Sequence, residues 1–245
     1  MMIQPTSSDI AKAKEYLRKR VAAEVSMEHY LDRKLLAAAM KIVRLAYKSN
    51  IPPTLFSFSY NPFLSVEIDR IINELVDEIE EYNLRLAVNT DKEEDDILLP
   101  YINREINGAT YADRIRNYAI RFKMELQDLI GAGVVLGLSL KGVEESVRKS
   151  FKTPYVSSIA SHLPHKGQSA YHRLQVLTRH TIADAWMHAD MEYHIRKGAI
   201  GFITYRGSSY PCDLCSDYAG VFHTFAEPYP PLHPSCKCYA VPVYK

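Results

Sequence analysis

The sequence predicts an α+β protein that is mostly α-helical in its N-terminal region and has a small C-terminal β region stapled by a Cys/His cluster. Three observations lead to this fold class. Apolar residues recur at helical spacing through long stretches that lack Pro and Gly. Strand-like runs appear only after Gly198. All four cysteines of the 245-residue chain lie in its last stretch, which is rich in Pro, Tyr and Gly.

The first predicted element is a long helix over residues 8–47, or two helices joined by a bend. This stretch contains neither Pro nor Gly, and its apolar residues recur at helical intervals. They are Leu17, Val21, Val25, Leu31, Leu35, Ile42, Leu45 and Ala46. Ser8 and Asp9 supply capping side chains at the start, and Pro52 stops the helix.

A second helix is predicted over residues 66–88, where apolar and acidic residues lie mostly on opposite faces. The apolar face is formed by Ile68, Ile71, Ile72, Leu75, Val76, Ile79, Tyr82 and Leu86. The acidic tract at residues 91–96 predicts an exposed linker, after which Leu99 and Pro100 restart the chain.

Gly131, Gly133 and Gly137 punctuate a short apolar segment, which predicts either a turn between two helices or the packed end of one. Residues 164–167 predict a loop. Helical spacing predicts three further helices around these segments, at residues 101–130, 139–151 and 168–197.

The β region begins with a predicted strand at residues 199–205. Residues 221–225 and 238–244 supply a second and a third strand. Pro242 cannot donate a hydrogen bond to a neighbouring strand, so we expect the third strand at an edge of the sheet.

The last 34 residues contain six side chains of the kind that bind soft metal ions. These are Cys212, Cys215, His223, His233, Cys236 and Cys238. Two pairs have the three-residue spacing of a tight turn, namely Cys212 with Cys215 and His233 with Cys236. Cys238 competes for a place in this set, because an extended segment puts it on the same side of the chain as Cys236.

We therefore predict one structural zinc, bound by Cys212, Cys215, His233 and either Cys236 or Cys238. A small β region with few large aliphatic residues buries too little area to order itself, and a metal cross-link supplies the missing free energy. Two alternatives stay open. The thiols carry no metal or form a disulfide, or the metal is catalytic, with a carboxylate of Asp213, Asp217 or Glu227 nearby.

A second polar set, His180, Asp184 and His188, shares one face of the helix predicted at residues 168–197. Such a set can chelate a metal or relay protons, but we expect surface polarity or helix-packing hydrogen bonds. The chain has no His-Glu-x-x-His, Gly-x-Ser-x-Gly or paired-carboxylate motif. An enzyme is therefore the weaker hypothesis, and no catalytic residue is predicted.

The formal net charge of +1 hides an uneven distribution along the chain. Residues 1–50 and residues 100–200 each have five more basic than acidic residues, whereas residues 61–99 have nine more acidic than basic residues. Such polarity suits assembly with an oppositely charged protein surface, or partial contact with nucleic acid, better than the wrapping of a duplex.

Tyrosines and a basic residue beside the cysteines also suggest single-stranded nucleic acid as a ligand, because aromatic rings stack on bases. They are Tyr205, Arg206, Tyr210 and Tyr218. Residues 201–245 nevertheless hold equal numbers of basic and acidic residues, which disfavours sequence-specific DNA binding.

The N-terminus lacks the basic flank and apolar core of a secretory signal, and no stretch of about 18 uninterrupted apolar residues predicts a membrane span. We expect a protein made in a reducing cytoplasm, without a membrane partner. Clustered thiols favour metal over disulfide in that compartment.

Residues 139–245 resemble the phage Mu F-like minor head protein family. The resemblance consists of a long helix at residues 179–189, a strand at 202–205, Cys212-Asp-Leu-Cys215, Ala219-Gly-Val-Phe222 and the final Pro230-Pro-Leu-His-Pro-Ser-Cys-Lys-Cys238. Members of the family typically close with Pro-Leu-His-Pro-Asn-Cys-Arg-Cys. This chain departs from that signature at Ser235 and Lys237, which are conservative in size or charge.

The resemblance implies a minor capsid protein that associates with the portal and assists head assembly, and DNA packaging or ejection. The implied partners are portal and capsid or scaffold proteins, with non-specific DNA contact, in the virion and in the host cytoplasm during assembly. It divides the chain into a helical region with an acidic linker, residues 1–96, and a Mu F-like domain, residues 97–245, whose cysteine knuckle occupies residues 199–245. A zinc-dependent hydrolase or nuclease and a zinc-knuckle nucleic-acid-binding module are the alternatives.

Overall fold

The computed structural model describes residues 5–90, 95–150 and 169–245. Helices form most of these residues, and one small antiparallel sheet lies near the C-terminus, so the predicted α+β class is confirmed. The helices are α1 (Ser7–Lys48), α2 (Pro62–Val88), α3 (Asp95–Ile102), α4 (Tyr111–Val135), α5 (Leu140–Ser150), α6 (Ala170–Arg196) and α7 (Asp213–Tyr218), and the strands are β1 (Gly201–Tyr205), β2 (Phe222–His223) and β3 (Tyr239–Val243). Short 3-10 helices occur at Pro53–Leu55 and Phe58–Tyr60.

The chain forms two compact units. The terminal unit consists of Met1–Glu28, Tyr82–Arg104 and Val176–Lys245, and the helical unit consists of His29–Glu81 and Glu105–Gln175. These compact units differ from the predicted domains, residues 1–96 and 97–245. The predicted domains follow the family resemblance, and they stay a prediction.

The helical unit is built on the apolar face of α2, as its periodicity predicts. Six of the eight predicted positions are buried, and α4 packs against α5 and against the 3-10 helix Pro53–Leu55. The buried α2 residues are Ile68, Ile71, Ile72, Leu75, Val76 and Ile79. A polar contact fixes the second 3-10 helix, since the Phe58 N–H donates to the Gln127 side-chain oxygen at 2.9 Å.

The glycines at the end of α4 form the packed end of a helix, which was one of the two predicted alternatives. Gly131 and Gly133 are helical and buried. A Cβ on Gly131 would lie 2.8 Å from the Phe56 ring, and one on Gly133 would lie 2.9 Å from a Val143 methyl carbon. The small residues therefore allow neighbouring side chains to approach the backbone of α4.

The terminal unit contains the sheet, with strand order β2-β1-β3 and antiparallel pairing throughout. Pro242 lies in β3, an edge strand, as its missing N–H predicts. One face of the sheet packs on α6 through Met187, Met191 and Phe202.

The predicted apolar face of α1 is wrong in its first half. Val25 is 43% exposed, and the buried positions are Met27 together with Tyr16, Arg20 and Glu24. The last three follow each other at four-residue spacing. Two of these three side chains are charged, so a search for apolar periodicity passes over them. From Leu31 onward the buried positions of the helix are apolar, as predicted.

Two predicted boundaries near residue 96 need correction. Helix α3 begins at Asp95, so the linker cannot extend to residue 96, while residues 91–94 lie outside the described part of the chain. Pro100 lies inside α3 and does not restart the chain. A single proline removes one intrahelical hydrogen bond, and the buried Leu98 and Ile102 hold this short helix in place.

The loop predicted at residues 164–167 lies outside the described residues. Across the residues that are described, no helix combines the length and apolar character required to cross a bilayer.

We expect Thr110→Ala to lower the free energy of unfolding by about 1 kcal/mol, because the α4 capping box is lost. Thr110 Oγ1 accepts from the Asp113 N–H at 3.2 Å, and an Asp113 carboxylate oxygen accepts from the Thr110 N–H at 3.0 Å. Urea unfolding measures the change, with Thr110→Ser, which keeps the hydroxyl, as the control. Equal stability of the two variants would contradict this role.

Candidate metal centre

A short helix that the sequence did not predict brings Cys212 and Cys215 together. Cys212 precedes α7 in an extended conformation, and its carbonyl accepts from the Ser216 N–H at 2.9 Å. Cys215 lies in the first turn of α7 and is buried. The side chain that caps a helix and the residue three positions later lie on the same side of the first turn. The Cys-x-x-Cys spacing thus directs both sulfur atoms to one side of the segment.

A tight turn brings His233 and Cys236 together. The Cys236 N–H donates to the His233 carbonyl at 3.1 Å, and Ser235 between them has φ +66°. Proline at the second position of a turn, followed by a positive φ, is typical of a type II turn. This turn supplies the second pair of candidate ligands.

Three separations between ligand atoms of the two pairs are typical of a metal site. His233 Nε2 lies 3.4 Å from Cys212 Sγ and 3.2 Å from Cys215 Sγ. Cys215 Sγ lies 3.7 Å from Cys236 Sγ. A tetrahedral zinc with bonds of about 2.3 Å to sulfur and about 2.0 Å to nitrogen separates two sulfurs by about 3.8 Å, and a sulfur from a nitrogen by about 3.5 Å. The observed spacings are close to both values.

All five predicted ligands take part in two overlapping groups that could hold a metal ion. Within each group the ligand atoms lie within 4.8 Å of one another, and Cys215 belongs to both. The groups are Cys212, Cys215 and His233, and Cys215, Cys236 and Cys238. All four cysteines are free thiols in the structure, and three of them are buried. The fold therefore brings the five predicted ligands together in two groups that could hold a metal ion.

The orientation of the His233 ring suits a metal ligand. Its Nδ1 lies 2.8 Å from the Pro234 carbonyl oxygen, which can only accept a hydrogen bond. Nδ1 therefore carries the proton, and the lone pair of Nε2 faces the sulfurs of Cys212 and Cys215. Metal-binding histidines usually fix their tautomer by donating the other N–H to such an acceptor.

The thiols of the cluster differ in acidity. Burial raises the pKa of Cys215 to about 12. Hydrogen bonds from the Cys238 side chain and backbone, and from the Leu232 backbone, lower the pKa of Cys236 to about 4. The hydrogen bond to Cys236, together with burial, raises the pKa of Cys238 well above its usual range. A bound cation would favour the thiolate form of each cysteine that coordinates it.

The sixth candidate ligand, His223, lies outside the cluster. Its Nδ1 is 3.0 Å from a Glu227 carboxylate oxygen and its Nε2 is 3.2 Å from the Tyr218 carbonyl. The ring also stacks on Tyr218 and Phe202. His223 therefore anchors β2 within the terminal unit.

The acidic residues near the cluster are not part of its metal-binding groups. Asp213 and Asp217 are exposed on α7, and Glu227 accepts hydrogen bonds from Thr224 as well as contacting His223. Among the described residues, both metal-binding groups consist of cysteine and histidine alone.

Two members of the polar set on α6, Asp184 and His188, form packing hydrogen bonds, as expected. Asp184 accepts from Arg104 at 2.8 Å and from the Tyr101 hydroxyl at 3.1 Å. His188 stacks on Tyr101 with ring centroids 3.7 Å apart and lies 2.8 Å from the Tyr229 hydroxyl. Neither these residues nor His180 belong to a metal-binding group of the described chain.

The aromatic residues suggested for nucleic acid are partly engaged inside the terminal unit. Tyr205 stacks on Tyr239, Tyr218 stacks on His223, and the Arg206 guanidinium donates to the Ser216 hydroxyl at 2.6 Å. Tyr210 is 78% exposed. Three of the four residues therefore have contacts within the protein, and the Tyr210 ring is exposed.

Two residues of α1 that apolar periodicity does not identify contact the segment that carries Cys236. Arg20 Nη2 donates to the Cys236 carbonyl at 3.3 Å, and Glu24 forms an ion pair with Lys237. The only signal in the sequence is that Arg20 and Glu24 lie four residues apart, on one face of the helix. Their burial follows from contact with a distant segment, which the sequence does not reveal.

Comparison with protein-family models, with curated proteins and with solved structures gives no match for this chain.

We expect Ser235→Gly to raise the free energy of unfolding by about 0.5–1 kcal/mol, because glycine adopts positive φ without the steric cost that serine has. Ser235→Val should lower it by about 1–2 kcal/mol, because β-branched residues are strained in this region. Ser235 is exposed, so neither variant changes core packing. Chemical unfolding measures both changes, and effects of the same sign would contradict the turn assignment.

Proposed function

We propose that the cluster binds one structural zinc ion, and that the chain is a phage head-morphogenesis protein whose C-terminal segment this ion orders. The observation that carries the metal proposal is the convergence of His233 Nε2 with the sulfurs of Cys212 and Cys215, with Nδ1 held by a backbone carbonyl. Sulfur and imidazole donors at tetrahedral spacing suit zinc.

The proposed ligands are Cys212, Cys215, His233 and Cys236. Cys236 is favoured over Cys238 as the fourth ligand because its sulfur lies 3.7 Å from Cys215 Sγ, the separation of two zinc-bound thiolates. Cys238 then acts from outside the coordination sphere, by a hydrogen bond between its side chain and Cys236.

Two features favour a structural over a catalytic ion. Four protein ligands complete a tetrahedron, whereas a catalytic zinc keeps one position for water or substrate. The surrounding sheet has strands of five, two and five residues, which bury little apolar area by themselves. Metal binding would supply folding free energy where the core is small.

We expect protein purified without chelator to contain one zinc per chain by inductively coupled plasma mass spectrometry. Cys215→Ser and His233→Gln should remove the zinc and lower the melting temperature of the terminal unit, because each leaves an incomplete tetrahedron. His29→Gln, an exposed histidine of the helical unit, is the matched control and should retain full zinc content.

The same measurement separates the two candidates for the fourth ligand. Cys236→Ser should lose zinc, whereas Cys238→Ser should keep it with an affinity lowered about tenfold, the effect of removing an outer-shell partner. Wild-type protein with no zinc, or with another metal in stoichiometric amount, would contradict the assignment.

The head-morphogenesis proposal is supported by the motifs of residues 179–238, which resemble the Mu F-like family, and by the chemistry of the cluster. A segment whose cysteine and histidine side chains bind a structural metal has a fixed shape, and a fixed surface suits stable contact with other proteins of an assembly. The proposed partners are the portal and the capsid or scaffold proteins. An excess of basic residues in 1–50 and 100–200 would favour acidic protein surfaces.

We expect the chain to co-sediment with portal rings when it is co-expressed with the portal protein of the same phage. Cys215→Ser should abolish co-sedimentation if the metal-ordered segment forms the contact, and His29→Gln should not. A wild-type chain that stays at the top of the gradient would contradict portal association. Salt-sensitive binding to single-stranded DNA, or phosphodiester hydrolysis lost in Asp213→Asn or Asp217→Asn, would support an alternative function instead.

A further inference from the structure

A buried charged face of α1 lies against the segment that carries the last two cysteines. Arg20 is fully buried and Glu24 is 2% exposed. Arg20 Nη2 donates to the Cys236 carbonyl at 3.3 Å, and the guanidinium also interacts electrostatically with the Cys236 and Cys238 side chains. Glu24 pairs with Lys237, the residue between these cysteines.

The hydrogen bonding of Arg20 is incomplete. Its Nε lies 3.4 Å from Glu24 Oε1, but neither Nε nor Nη1 has a hydrogen-bond partner within the described residues. A buried guanidinium is costly unless opposite charge and hydrogen bonds compensate for the lost hydration. Glu24 provides only part of that compensation, because its carboxylate also pairs with Lys237 and lies 3.9 Å from Arg179 Nε.

The charges of this region leave an excess of one positive charge. Three cationic side chains, Arg20, Arg179 and Lys237, accompany two carboxylates, Glu24 and Glu28. A zinc ion with three thiolates and one neutral imidazole carries one negative charge. The metal–thiolate centre would therefore balance the charge that the ion pairs leave over.

We propose that Arg20 is the charge partner of the metal–thiolate centre, so that metal loading and the docking of residues 7–28 stabilise each other. This inference rests on the proposed metal site. Arg20 acts as a positioning residue through the Cys236 backbone and through its charge, and it does not bind the ion. The metal then fixes the N-terminal part of α1 as well as the C-terminal sheet.

The alternative is an ordinary buried ion pair that stabilises the fold regardless of metal. The two roles predict different effects of Arg20→Met, which keeps much of the side-chain volume and removes the charge. For a charge partner, the variant weakens zinc binding about 10- to 100-fold, as loss of an outer-shell group does. It leaves the stability of the zinc-free protein unchanged or raises it, because an undercompensated buried charge is removed.

Zinc affinity is measured by competition with a chromogenic chelator, and stability by urea unfolding with zinc and with excess EDTA. Arg20→Lys should recover part of the affinity, because it restores the charge without the planar donor group. Arg18→Met is the matched control, since Arg18 lies on the same helix with its side chain 77% exposed, and it should bind zinc as tightly as the wild type.

Hydrogen exchange provides a second test, and its first part uses the wild-type protein alone. Removal of zinc should increase amide exchange in residues 7–28, and Arg20→Met should make exchange there insensitive to zinc. Zinc-independent exchange in the wild type would overturn the proposal, as would Arg20→Met binding zinc with wild-type affinity or losing equal stability with and without zinc. A wild-type chain that binds no zinc would instead refute the proposed metal site.

Discussion

The terminal unit depends on the meeting of two short segments, Cys212 to Cys215 and His233 to Cys236, around one cluster of soft donor atoms. The strands around this cluster are short, and the hydrophobic clusters that pack near them contain few residues. A sheet of this size is marginal without a further constraint. The cluster consists of two overlapping groups of three ligands, and the donor atoms of each group lie within 4.8 Å of one another. These ligands provide that constraint if they share an ion, because coordination bonds replace buried area as the source of folding free energy.

Polar contacts form much of the remaining framework of this unit. Tyr101 of α3 and Arg104, which follows this helix, donate to Asp184 of α6. His188 joins α6 to the loop that carries Tyr229. The Trp186 indole N–H donates to the Leu86 carbonyl at 2.9 Å. Directional contacts of this kind specify one arrangement of helices more strictly than apolar packing does. The helical unit differs, since its buried side chains on α1, α2, α4 and α5 are aliphatic or aromatic.

The charged face of α1 bears on the proposed function. The proposed resemblance to Mu F-like proteins concerns residues 139–245. Arg20 and Glu24 lie far outside this range, yet they contact the segment that carries Cys236 and Cys238. The compact unit around the cluster therefore includes the N-terminal part of α1. If the chain assembles into a phage head, the metal-ordered segment and this helix would act there as one body. The zinc would then order a binding surface and would not take part in catalysis.

The sequence by itself determined the features that depend on neighbouring residues. Helical periodicity located α2, α4, α5 and α6. Three-residue spacing identified four of the five clustered ligands, because a helix turn or a tight turn brings such residues together locally, and the two-residue spacing of an extended segment added Cys238. Only the tertiary structure decided that His223 stays outside the cluster, that α7 carries Cys215, and that Pro100 lies within a helix. It also decided that Arg20 and Glu24 are buried while Val25 is exposed. Charged residues become buried only when a distant segment compensates for their lost hydration, and here that segment lies more than two hundred residues away along the chain.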